Sequence, residues 1–313
     1  MASHLTAQLI QQFRTNATLT RIRIAILDTG YDARSQFFTA AARKKRLIKW
    51  KDFVDGQEQP LDRDGHGSHA LSILMKVAPA ADICVARVAE NTEDLQNRPS
   101  AIAQAIAWAT NSDEADANII SMSFGYPEEP EVEGKSIISN AIHRAVHHRG
   151  GQVLFFAAAA NDGGNQREMF PARHDKVISI RATDHQGAFQ NFNPAADALE
   201  THVLGTLGTE VPGVWPSTQE TEACKTGTSI ATPIAAGIAA AILGYAQAGI
   251  ALKRFGEDAH MERLWTKRGI NLTLMKLSRE MTGRHFYLYP HEFFREAKEQ
   301  QRDALLLEAV RLV

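Results

Sequence analysis

The chain has 313 residues, with 34 Lys+Arg set against 36 Asp+Glu for a formal net charge of −2, and 44% of its residues are hydrophobic. This globular composition excludes a disordered chain, a collagen-like repeat and a disulfide-stapled miniprotein. It also supplies no net positive field of the kind that binds nucleic acid. The longest apolar runs, 153–160 and 234–243, fall short of the ~18 residues a membrane span needs, and no signal-peptide pattern opens the chain. Residues 21–27 alternate and then become wholly apolar, so they read as a buried strand that ends at the polar turn Asp28-Thr29-Gly30. A second strand is predicted over 83–88. A helix follows over 100–110, with Ile102, Ala105, Ile106 and Ala109 in one stripe. A short strand at 118–123 precedes another helix, 136–148, whose stripe is Ile138, Ala141, Ile142, Ala145 and Val146. Gly150-Gly151 stops it, and 153–158 is again a buried strand. Strands alternating with helices imply βαβ units and a mainly parallel sheet, an α/β fold.

After a strand at 177–180 the pattern loosens into Gly-, Pro-, Thr- and Asn-rich loops as far as Thr226. The helix predicted over 229–246 is built mostly of Ala, Ile and Gly and is apolar nearly all round. It should therefore run through the middle of the domain. From Leu252 onward the chain is more charged and closes in a predicted helix, 292–313. Phe293, Ala297, Ala304 and Leu307 form its inner stripe, with Arg295, Lys298 and Arg302 opposite. Leu305 and Leu306 fall off that stripe and point to a wider buried face. This segment reads as a helical C-terminal extension packed on the core. The two cysteines, Cys84 and Cys224, share no metal-ligand spacing and read as reduced, mostly buried thiols.

Open parallel sheets place their sites at the carboxyl ends of the strands. Asp28 lies at one such end. His66 stands between two glycines in Asp64-Gly65-His66-Gly67-Ser68-His69, and Ser229 opens the apolar helix in Gly227-Thr228-Ser229-Ile230-Ala231-Thr232-Pro233. Asn161 follows the strand at 153–158 and the pair Ala159-Ala160. Each residue alone has a bland explanation: an Asx turn for Asp28, a structural imidazole for His66, a turn former for Asn161, a helix cap for Ser229. Together a carboxylate, an imidazole, a carboxamide and a hydroxyl are the groups required for acyl transfer through a serine nucleophile.

In this order the three segments resemble the aspartate, histidine and serine motifs of the subtilisin-type serine proteases, the subtilase family. The resemblance covers roughly residues 20–248 and implies a subtilisin-like three-layer α/β fold with a mainly parallel central sheet. It divides the chain into an N-terminal lead-in (1–19), a catalytic domain (20–248) and the extension (249–313). By the same resemblance Ser229 is the nucleophile, His66 the base, Asp28 its orienting carboxylate and Asn161 an oxyanion donor. Ser123, Phe124 and Gly125 resemble the segment that pairs with substrate backbone. Phe170-Pro171 resembles an aromatic-proline turn that is cis in the family. Ala159, Ala160 and Met169 are further candidates for the substrate cleft. Three positions depart from the family pattern. Ala160 replaces the usual Gly before the oxyanion Asn, Ser68 a Thr, and Ile230 the Met after the nucleophile. Met169 stands where a small residue is common, which implies small or medium apolar side chains before the cleaved bond.

The expected partner is a polypeptide substrate, together with other domains of a larger chain; neither nucleic acid nor membrane is expected. No cofactor is expected, and no dense acidic loop of EF-hand type supports a calcium site. Only 27 residues precede Asp28, too few for the folding-assisting prosegment of secreted members. The resemblance therefore implies either a mature or excised catalytic domain, or an intracellular branch. The charged tail is similar to that of subtilase domains in fungal multidomain intracellular proteins. A cytoplasmic location is the expectation, with a secreted mature domain as the alternative. An inactive protease fold used as a regulatory module is the rival function, and the intact quartet argues against it. Other partial motifs fail. His143 and His147 stand at metalloprotease spacing, but Arg144 occupies the place of the general-base Glu.

Overall fold

The computed structural model describes residues 11, 19–163, 166–196, 202–216, 222–256, 259–291, 293–294 and 297–313. Arg295 and nearly all of the 1–19 lead-in lie outside the described residues. The chain builds a nine-stranded sheet. Its strands are β1 (Arg23–Asp28), β2 (Leu47–Asp52), β3 (Asp82–Arg87), β4 (Ile119–Met122), β5 (Leu154–Ala158), β6 (Val177–Thr183), β7 (Val203–Leu207), β10 (Ser278–Glu280) and β11 (His285–Leu288). They lie in the order β10-β11-β7-β6-β5-β4-β1-β3-β2. Every pairing is parallel except the last hairpin, β10 with β11. A separate antiparallel ribbon joins β8 (Val211–Val214) to β9 (Glu222–Lys225).

Alternation along β1 shows why both faces of the sheet are covered. Ile24 and Ile26 join one apolar cluster, Ala25 and Leu27 the other, as the two-residue period of a strand requires. The first cluster holds α1 (His66–Val77) and α4 (Thr228–Ala251); the second holds α2 (Pro99–Thr110) and α3 (Ile137–His148). The result is the expected three layers. Of α4, Ala231, Ala235, Ala239 and Leu243 are fully buried, together with most of their neighbours. By length and composition this helix could cross a membrane, but 72% of its most apolar window is buried within the protein, where it serves as the core helix. The chain leaves β1 for β2 and β3 on one side, then returns to β4 on the other. That reversal is the crevice where such sheets bind ligands.

The elements expected between 21 and 180 are present with ends within one or two residues, except that the strand at 177–180 runs three residues further, to Thr183. β2 has no counterpart among the expectations. Lys49 and Lys51 punctuate it because it is an exposed edge, where lysines suit the open side. The loops expected between 181 and 226 contain β7, β8 and β9, whose strand pattern is hidden by Gly205, Pro212 and Gly213. Cys224 corrects the expectation of two mostly buried thiols: it is exposed on β9, whereas Cys84 is fully buried and its pKa is pushed up to about 12 by that burial.

The C-terminal segment is more than helical. It supplies α5 (Lys267–Lys276), β10, β11 and α6 (Glu299–Arg311), so the central sheet does not stop at residue 248. The inner stripe of the last helix also differs from expectation. Leu306, Ala309, Val310 and Arg302 are buried, while Ala304 is exposed. Arg302 turns inward because its Nε donates to the Phe293 carbonyl and its guanidinium lies over the Tyr245 ring at 6.0 Å.

Candidate active site

Asp28 ends β1 with its side chain 1% exposed, and Oδ1 accepts the Thr29 N–H at 2.8 Å. His66 opens α1 after Gly65, whose φ of +108° lets the chain swing back over β1. His66 Nδ1 lies 2.8 Å from the same Oδ1 of Asp28. Burial pulls the imidazole pKa down. The charge and hydrogen bond of Asp28, helped by Asp64 and Asp62, outweigh burial, and the net shift is upward.

What fixes these two residues against each other is Asp62, which the sequence reading passed over. It is 6% exposed. Its Oδ1 accepts from Thr29 Oγ1 (3.0 Å), Asp64 N (3.1 Å) and Gly65 N (2.9 Å), and its Oδ2 from Ser68 N (2.8 Å) and Ser68 Oγ (2.7 Å). Thr29 Oγ1 in turn accepts the Gly67 N–H at 2.9 Å. One carboxylate thus ties the turn after β1 to the first turn of α1. The signal was available in sequence: an Asp four residues before a histidine that begins a helix is placed to accept the orphan N–H groups of the first turn. Ser68, the departure from the usual Thr, keeps the hydroxyl that this network uses. His69, three residues further along α1, is structural; its Nε2 lies 3.0 Å from the Val211 carbonyl and 3.1 Å from that of Ala223.

Ser229 occupies the first turn of α4. Pro233, four residues on, has no N–H to give the Ser229 carbonyl, which instead accepts from Ser123 Oγ at 2.9 Å. Ser123 is therefore held through its hydroxyl, at the carboxyl end of β4. Asn161 Oδ1 accepts the Thr228 N–H at 2.8 Å. With its oxygen committed, the carboxamide presents Nδ2 as a donor. A side chain at Gly227, where φ is +153°, would place Cβ 3.3 Å from Ser229 Oγ and 3.4 Å from Asn161 Nδ2. Hydroxyl and amide thus converge beside this glycine, and the backbone there strains any larger residue. Ala160 carries φ of +152°, a conformation suited to glycine, so the family's usual residue at this position has a backbone reason.

A cleft of about 280 Å³ is lined by His66, Ser229 and Asn161, with Ser123, Phe124, Gly125, Ala160 and Met169 on its walls. The walls are tied together by two bonds between Tyr126 and Phe170, N to O at 2.6 Å and 2.8 Å, and the Phe170–Pro171 peptide is cis. Met169 packs on Gly125 so closely that a Cβ there would fall 2.7 Å from the Met169 Cβ. Ala159 is the candidate that does not reach the cleft. It is fully buried, its N–H donates to Ile180 and its carbonyl accepts from Met169, so both of its backbone groups are bonded within the fold. Thr92, Leu95 and Gln96, on the segment after β3, line the cleft without having been singled out in sequence.

Comparison with known proteins places the chain in a family. The model of the subtilase family, peptidase family S8, matches residues 20–267. The chain is similar to the thermostable alkaline protease of Halalkalibacterium halodurans, 28% identical over 229 residues, covering 70% of this chain and 56% of that protein. This chain therefore spans just over half the length of that relative. It is also similar to the subtilisin-like protease het-Q2 of Podospora anserina, 23% identical over 335 residues, 91% of this chain and 87% of that one. Among solved structures, a mutant of the protease domain of PatA shares the fold, with a TM-score of 0.66, 23% identity and coverage of 91% of this chain and 94% of that one.

Proposed function

The chain belongs to the subtilase family of serine-type endopeptidases, and from that premise we propose that Ser229, His66, Asp28 and Asn161 carry out peptide-bond hydrolysis in the cleft between β1, β4, α1 and α4. Ser229 Oγ attacks the scissile carbonyl while His66 Nε2 takes its proton. Asp28 accepts the hydrogen bond from Nδ1–H, fixes that tautomer and stabilises the imidazolium as it forms. The carbonyl oxygen, now an alkoxide, takes hydrogen bonds from Asn161 Nδ2 and the Ser229 N–H, and the α4 N-terminus adds partial positive charge. His66 then gives its proton to the leaving amine. Water, activated by the same imidazole, releases the acyl group from Ser229.

The observation that carries this reading is the orientation of Asn161. Its Oδ1 is consumed by the Thr228 N–H, so the amide donor faces the cleft shared with His66 and Ser229. The substrate is a polypeptide, and Met169 against Gly125 narrows the pocket to small or medium apolar side chains before the cleaved bond. A fluorophosphonate probe tests the nucleophile directly. Covalent labelling of the folded chain at Ser229, abolished in Ser229→Ala, is expected. A folded chain that takes up no label would overturn the assignment and leave the inactive-module reading.

A further inference from the structure

The sequence offers His143 and His147 as a pair one turn apart on α3, and the proposed hydrolysis uses neither. In the fold His143 has a different neighbour. Its ring lies over His174, centroids 4.8 Å apart, and donor atoms of His143, His174 and Asp175 all fall within 4.8 Å of one another. We propose that His143, His174 and Asp175 form a binding site for a zinc-class divalent transition metal that staples α3 to the turn behind the substrate cleft.

Two of the three donors are already spaced for one ion. His174 Nδ1 lies 3.3 Å from Asp175 Oδ1. Adjacent donors of a tetrahedral zinc with bonds of about 2.0–2.2 Å stand roughly 3.3–3.6 Å apart. The His174 tautomer is also suitable. Nδ1 accepts the Lys176 N–H at 3.1 Å, so the neutral ring carries its proton on Nε2 and its one lone pair on Nδ1, and an ion would take that lone pair in place of the Lys176 N–H. The His174 side chain is only 7% exposed, and the Phe170 ring flanks it at 6.2 Å. His143, exposed on α3, supplies the third donor within 4.8 Å of the other two, with water as the fourth ligand. Two imidazoles and one carboxylate suit zinc, cobalt or nickel, and are a poor match for calcium, which takes six to eight oxygens.

Lys176 holds the other Asp175 oxygen, its Nζ 2.6 Å from Oδ2, and sets the cost of occupancy by placing a positive charge beside the ion. The turn is close to the chemistry. The Arg173 N–H donates to the Met169 carbonyl at 3.0 Å and the His174 N–H to Pro171 at 2.9 Å, so an ion here bears on the wall formed by Met169.

Calorimetric titration of the full chain with zinc chloride tests the site, with calcium chloride as the comparison. One saturable zinc equivalent is expected, with a rise in melting temperature and no corresponding calcium response. His143→Ala and His174→Ala should each weaken zinc binding by about tenfold or more. His147→Ala should leave it unchanged, and Lys176→Met should tighten it. Circular dichroism and fluorophosphonate labelling confirm that each variant is folded, independently of zinc. The proposal is overturned by the absence of saturable zinc binding, by binding that survives both His143→Ala and His174→Ala, or by binding lost in His147→Ala, which would assign the ion to the helical pair.

Discussion

His66 sits between two opposed influences. Burial penalises its charged form, but the Asp28 carboxylate at 2.8 Å and the more distant Asp64 and Asp62 outweigh it, so its pKa lies above 6.5. A base must be neutral to accept the Ser229 proton. The acid limb of kcat/KM should therefore fall with its midpoint above 6.5, and Asp28→Asn should lower kcat by a factor on the order of 10⁴. A peptide-substrate pH profile checks both; a midpoint below 6.5 would overturn the upward shift, and a flat profile would remove His66 from the role of base. The proposed mechanism gives Asn161 two duties that substitutions can separate. Asn161→Ala loses the oxyanion donor, at about 10²–10³ in kcat. It also loses the Thr228 N–H acceptor, at about 1 kcal/mol of stability. Asn161→Asp keeps an oxygen for Thr228 but has no N–H to donate. It should match Asn161→Ala in turnover while unfolding closer to the parent; wild-type kcat in Asn161→Asp would exclude the donor role.

At the scale of elements, the alignment of β1 with α1 depends on Asp62. Asp62→Ala strands Thr29 Oγ1, three backbone N–H groups and the Ser68 hydroxyl in a buried turn, a loss of about 2–4 kcal/mol. It also frees His66 from its register with Asp28. Urea denaturation should show that loss, and kcat should fall with little change in KM. A variant with parental kcat would show that the β1 turn holds its place without the carboxylate. This network marks the limit of what single residues reveal in sequence. Asp28, His66, Asn161 and Ser229 are legible because their motifs combine a reactive group with the glycine or helix start that aims it. Asp62 carries no chemistry of its own, and its importance comes from five donors that only the folded turn assembles. Ala159 lies off the cleft for the complementary reason: sequence placed it beside Ala160 and Asn161, but Ile180 of β6 and the Met169 N–H take up both of its backbone groups. Buried parallel strands such as β1 and β5 announce themselves through continuous apolar residues. β2, with its lysines, and β8, with Pro212 and Gly213, take their strand form from neighbours rather than from local pattern.

The cleft draws on residues from most of the chain. The groups lining the cleft come from positions 66 to 229, with Asp28 beneath them, so no domain boundary can fall near the middle of the chain. The extension beyond 248 is continuous with that unit. β11 pairs with β7 in parallel, and the Leu288 carbonyl accepts from Thr206 Oγ1 at 2.9 Å. Tyr245 near the end of α4 donates to Asp303 of α6 at 2.8 Å. Leu264, Ile270, Leu274, Leu288, Phe293, Leu306 and Val310 belong to the same apolar cluster as α1 and α4. Charged residues disguise this in sequence because β10, the strand Ser278-Arg279-Glu280, is an exposed sheet edge and α6 buries only one side. Removing everything after residue 251 would uncover that cluster and leave β7 as a bare apolar edge, a template for aggregation. The truncated chain should therefore be recovered as insoluble or polydisperse material by gel filtration, while the full chain is monodisperse. A soluble, cooperatively folding, probe-reactive truncation would show instead that the sheet closes at β7 and that the C-terminal strands are an addition to a self-sufficient unit.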